Sequence, residues 1–137
     1  MAAMSDYLEA ELLDHVFGGG DYTRPANLYF ALFTAAPSDS GGGTEVTGGS
    51  YARVNMTNDA TNFPAATTTA GVTTKKNGTT IQFAQATANW GTVTHWGVFD
   101  ASTSGNLIVH GALSASRSVV SGDAPRFLAD AFSLTAD

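Results

Sequence analysis

The chain has 137 residues, a net charge of −6 and no cysteine, so it can hold one domain with its own core but neither a disulfide nor a thiolate metal site. Charged residues are 13 % of the total, about half the usual share. The six basic ones, Arg24, Arg53, Lys75, Lys76, Arg117 and Arg126, form no stripe, which argues against a nucleic-acid partner.

Ser5 to Phe17 predicts the one clear helix. Asp6 can cap it, with Glu9 three residues on, as in a capping box. Leu8, Leu12 and Val16 recur at i, i+4 and i+8, and Leu13 and Phe17 join them to make one apolar stripe. Asp6 and Glu9 in the first turn and His15 in the last suit the helix dipole. Gly18-Gly19-Gly20 ends it. Two readings are open: a helix packed on its own sheet, or an N-terminal arm that docks on a neighbouring subunit. Residues 1–20 are therefore read as a helix or docking arm, and 21–137 as a β-domain.

Asn27 to Thr34 reads as a strand with apolar groups on both faces, which suggests cover on both sides. A loop rich in Ser, Asp and Gly follows at 38–43, then a half-buried strand at Tyr51–Met56 with Ala52, Val54 and Met56 inward. Residues 58–74 show little pattern. Asn77-Gly78 is a type I′ turn signal joining Val72–Lys75 to Thr79–Phe83, with Lys75-Lys76 on a solvated turn. Thr92 to Leu113 is the centre: two β-rich runs about a polar segment holding Gly105 and Asn106 form a hairpin. Its first run places Val93, His95, Gly97 and Phe99 on one face and Thr94, Trp96 and Val98 on the other. Gly122-Asp123 is a further turn, and Phe132, Leu134 and Ala136 mark a last strand. About eight short strands with Gly-rich turns predict an antiparallel β-sandwich or jelly-roll-like barrel with one N-terminal amphipathic helix.

The residues that carry chemistry are sparse. Asp100 with His95 or His110 could be imagined beside a serine, but no Gly-x-Ser-x-Gly elbow occurs. His95 and His110 lie on opposing strands; backbone-bonded, partly buried histidines are the plainer reading than a metal pair. Neither glycine run has the Lys and Ser/Thr of a phosphate loop. Asp39 and Glu45 flank Gly41–Gly43 without the spacing of a calcium loop. Asn55-Met-Thr and Asn77-Gly-Thr match glycosylation sequons. Trp90, Trp96, Tyr22, Tyr29 and Tyr51 could line a sugar platform, although core or interface packing is the default. No catalytic residue, cofactor or metal is expected. No apolar run approaches the ~20 residues that span a bilayer, and no signal peptide is read, so no membrane partner is expected either.

Several segments carry a resemblance: residues 28–46, Tyr51-Ala-Arg-Val54, Trp90-Gly-Thr-Val-Thr-His-Trp-Gly-Val-Phe-Asp100, residues 105–113, and Gly122-Asp-Ala-Pro-Arg-Phe127. Together the chain resembles small tailed-bacteriophage virion proteins often labelled tail-fibre or minor structural proteins. Asn58–Asn77 departs from the resemblance. The family implies a non-enzymatic, oligomeric role in the particle and supplies no catalytic residues. The chain lacks coiled-coil heptads and β-helical repeats of the kind a long fibre shaft needs. That favours a capsid decoration or cement protein, a trimer or dimer, bound to the major capsid protein or other virion proteins. A tail-fibre or tail-tip component that binds host glycan is the alternative. Leu8, Leu12, Val16 and Phe17 are the expected partner-docking residues.

Overall fold

A computed structural model describes residues 2–136. Met1 and Asp137, the outer bounds of the two expected segments, lie outside the described residues. Strand β1 (Ala2–Met4) leads into helix α1 (Asp6–Val16). Then come β2 (Asn27–Ala35), β3 (Thr44–Glu45), β4 (Val54–Thr57), β5 (Thr67–Thr69), β6 (Val72–Lys76), β7 (Ile81–Gln82), β8 (Gly91–Phe99), β9 (Leu107–Val119), β10 (Arg126–Phe127) and β11 (Ser133–Ala136). That is eleven strands among the described residues where the sequence suggests about eight. The extra ones are pieces of two to four residues, too short for periodicity to show.

The fold is mainly β, with antiparallel sheets and no closed barrel. The main sheet runs β1-β9-β8-β2, and β3 and β4 share the far edge of β2. The hairpin β8–β9 is central as expected, with β8 between β9 and β2. Its loop is closed by Asp100, whose carboxylate accepts from Asn106 N at 2.7 Å and Asn106 Nδ2 at 2.9 Å. Such a side-chain-to-backbone bond is the local chemistry that makes Asp a turn residue.

Phe30, Leu32, Trp96, Val98 and Val109 share the inner face through their pairings. A second layer, built from β7–β10 and β5–β6–β11, packs on it. Phe132 stands edge-on to both Phe30 (5.1 Å) and Trp96 (4.8 Å), and Phe63 stacks on Phe30 at 6.1 Å. Two layers closing over one apolar interior is how a sheet hides its apolar face. Val93 lines a cavity with Trp96 instead of facing with His95. The register slips between Val93 and His95, where Leu113–Ser116 of β9 lie opposite Thr94 alone. A bulge of this kind re-aims the side chains beyond it.

The Asn77-Gly78 reading is corrected. Neither residue has positive φ, which a type I′ turn demands, and β6 and β7 belong to different sheets. The tight turn is one hairpin earlier, at Ala70 (φ 51) and Gly71 (φ 83), between β5 and β6. Asn77 is wholly buried: its Nδ2 donates to Thr79 O and Leu128 O, and its Oδ1 accepts from Phe132 N. It therefore cannot serve as a glycan acceptor. Lys75 and Lys76 sit on β6, opposite Leu134 and Ser133, not on a turn. Of the three residues expected inward on this strand, only Met56 is fully buried; Val54 is half-buried, and Ala52 is exposed and precedes β4.

Candidate docking surface

Helix α1 is capped by Ser5, not Asp6. Ser5 is extended (φ −78°, ψ 159°), and its hydroxyl accepts from Leu8 N at 3.2 Å, the defining geometry of an N-cap. Two residues compete for the cap locally; tertiary bonds decide. Ser5 N donates to Ile108 O, its hydroxyl donates to Leu107 O, and Asp6 N donates to Asp39 O. β1 continues this attachment by pairing Ala2–Met4 with Gly111–Val109. The first turn of the helix is thus fixed to the sheet, and Leu8 completes the contact by entering the core.

The other end is closed by backbone alone. Phe17 N donates to Leu13 O, Gly18 has φ +79, and Gly19 N donates to Asp14 O, a glycine-terminated C-cap of the Schellman type. The last two turns are held at His15, whose Nδ1 accepts from Tyr22 N at 3.2 Å, while their apolar side chains stay open. Leu12 is 36 % exposed, Leu13 61 %, Val16 65 % and Phe17 77 %. The four expected docking residues therefore divide. Leu8 belongs to the chain's own core, while Leu12, Val16 and Phe17, joined by Leu13, form an open apolar face. Asp6 and Glu9 extend that face toward the N-terminus on a helical wheel, and Asp14 flanks it.

On the outer face of the sheet the start of α1 and the loop at 39–43 border a cavity of about 650 Å³ lined also by Phe33, Glu45, Arg53, Phe99 and Asn106. Its one strong feature escaped the sequence reading. Arg53 forms a two-pronged pair with Glu45 (2.8 and 2.9 Å), donates to Ala101 O and Ser104 O, and lies 3.6 Å over the Phe99 ring. Tyr51 Oη donates to Glu45 and accepts from Leu32 N. Burial pushes the Tyr51 phenol far above its ordinary value; the Leu32 N–H opposes the rise, and Glu45 adds to it. Arg53, Glu45 and Tyr51 are all engaged within the chain, so the network braces the hairpin loop against β3. The only sequence signal was that Glu45, Tyr51 and Arg53 lie close along the chain.

The imagined chemistry does not assemble. Asp100 bonds Asn106, His110 pairs with Asp39 at 2.9 Å, and His95 bonds Thr94. His95 lies opposite Ala112 and His110 opposite Gly97. Asp39 and Glu45, the two candidate calcium carboxylates, are committed to His110 and to Arg53 and Tyr51. No cluster of three His, Asp or Glu residues suited to a metal occurs among the described residues. Trp90, Trp96 and Tyr51 are aromatic core; Trp90 stands edge-on to Tyr51 at 5.3 Å and its ring N–H bonds Gly49 O. No helix of the described residues is long and apolar enough to cross a membrane.

Residues 3–135 match the family described as podophage GP4 fiber I protein gp80. The chain belongs to that family. The resemblance to phage virion structural proteins of the tail-fibre type, carried in sequence mainly by Trp90–Asp100, is thereby confirmed. No curated protein matches the chain.

Proposed function

We propose that the chain is a non-enzymatic structural component of a phage particle, carried on the capsid surface as an oligomeric decoration protein. The observation that supports this reading is the open apolar face of α1 on a rigidly capped helix. Burying what Leu12, Leu13, Val16 and Phe17 expose is worth roughly 4–7 kcal/mol by transfer free energy. A surface of that kind, set in a chain with few charges, suits a permanent contact in an assembly. The braced loops and two-layered β-fold then act as a stiff body that such contacts can hold. The family's name favours a second reading, in which the chain is part of a tail fibre.

The test is rebinding of purified protein to particles that lack it. Deleting residues 1–20 would also remove β1 and the Ser5 cap, so a surface variant is the cleaner probe. The variant Leu13→Asp, Val16→Asp, Phe17→Asp should keep the native circular dichroism yet fail to bind. Retained binding would sink the docking face, and label found only at the tail would favour the fibre reading.

A further inference from the structure

A second open surface, of mixed polar and apolar lining, lies on the inner side of the sheet. It is a groove of about 630 Å³ between the outer half of β9 and the segment at 125–133, floored by Trp96 and Phe132 and walled by Leu113 and Phe127. The groove is open for a structural reason. β1 covers β9 only at Val109–Gly111, and Leu113–Ser116 bulge away from β8. Leu128 on its rim is 54 % exposed.

We propose that this groove receives the apolar face of α1 from a second copy of the chain. The inference deepens the oligomeric part of the reading above and rests on it: the assembly contact of the α1 face is then with a neighbouring copy, and the particle is bound by the oligomer so formed. Charge selects the occupant. Arg117 and Arg126 line the groove, no carboxylate does, and neither arginine has an acidic partner among the described residues. Helix α1 carries Asp6, Glu9, Glu11 and Asp14 and no lysine or arginine. An acidic helix with an apolar face and a basic groove with an apolar floor, on a chain of net charge −6, are complementary in both respects, the helix-in-groove mode of recognition. Pairing of two α1 faces with each other would bring Asp6, Glu9 and Asp14 of each copy, six carboxylates, together and is disfavoured.

The two surfaces lie on different sides of the molecule. α1 starts beside Leu107 and the outer cavity, whereas the groove opens onto Trp96 and Leu32 of the inner face. The contact therefore joins unlike patches. Head-to-tail contacts of this kind close into a ring when the rotation allows and extend into a filament when it does not.

Light scattering on the purified full chain tests this with two variants. One carries Val16→Asp and Phe17→Asp in the helix face; the other carries Arg117→Glu and Leu128→Asp in the groove. Near-ultraviolet circular dichroism first confirms that both fold. The wild type should run as an oligomer and each variant alone as a 14.1 kDa monomer. An equimolar mixture should form heterodimers and nothing larger, since only one sound helix face and one sound groove can meet. A monomeric wild type overturns the inference. So does a groove variant that assembles as the wild type does, which would reveal face-to-face pairing. A helix variant that oligomerises normally but no longer binds particles also overturns it, while leaving the particle role standing.

Discussion

Replacing Asn77 with alanine should remove about 3–5 kcal/mol of folding stability. The side chain is 0 % exposed and makes three bonds, to Thr79 O (2.8 Å), Leu128 O (2.9 Å) and Phe132 N (2.9 Å). Its own backbone N–H and C=O bond Phe132 O and Asp130 N, so one residue ties the end of β6 to the C-terminal segment. Each of the two bonds donated to carbonyls is worth about 1 kcal/mol net, and the Phe132 N–H left buried without a partner costs about 1–3 kcal/mol. Against a typical total of roughly 5–15 kcal/mol, the variant should melt some 10–20 °C lower at this chain length. Urea unfolding followed by tryptophan fluorescence is a direct assay, because Trp96 packs edge-on to Phe132. A loss under about 1 kcal/mol would refute the reasoning, since water would then be meeting the needs of Phe132 N and the two carbonyls.

Arg53→Ala should be destabilising by about 3–5 kcal/mol, because it leaves Glu45 without its partner in a pair whose arginine side chain is only 7 % exposed; Arg53→Lys should recover less than half, as an ammonium cannot make the fork or stack on Phe99, and equal stability of the two variants in urea would contradict this. Tyr51 gives a pH dependence of definite sign. Its folded-state pKa is raised, so its contribution to stability is constant below the ordinary phenol value of about 10 and is lost as pH rises above it, at about 1.4 kcal/mol per unit. Urea titrations between pH 8 and 11 should show wild type losing stability faster than Tyr51→Phe; parallel slopes would contradict the burial argument.

The exposed face of α1 and the braced outer cavity assign different work to the two ends of one helix. The N-terminal turn belongs to the fold, through Ser5 and Leu8. The C-terminal turns belong to whatever meets the molecule. This division places no penalty on the monomer for changes at Val16 or Phe17, which is what makes them usable probes of assembly.

Sequence alone determined the central hairpin, strand β2 and the helix with its apolar stripe. In each of these the signal is local and repeated: alternation or helical spacing over nine or more residues, and a polar segment holding Gly105 and Asn106 between β8 and β9. It also held the family, since 3–135 match as a whole. Tertiary structure alone decided the rest, for identifiable reasons. Asn77-Gly78 has the composition of a turn, yet the Asn77 side chain is claimed by Leu128 O and Phe132 N, some 50 residues away, and the turn forms at Ala70-Gly71 instead. Ser5 outcompetes Asp6 as the cap because Leu107 and Ile108 bind it. The stripe on α1 is visible in sequence, but which half is covered is set by where β9 ends its contact with the helix. Distant backbone partners and the reach of a neighbouring strand leave no mark in a local pattern, and they are what turned a generic amphipathic helix into a surface with one fixed end and one open one.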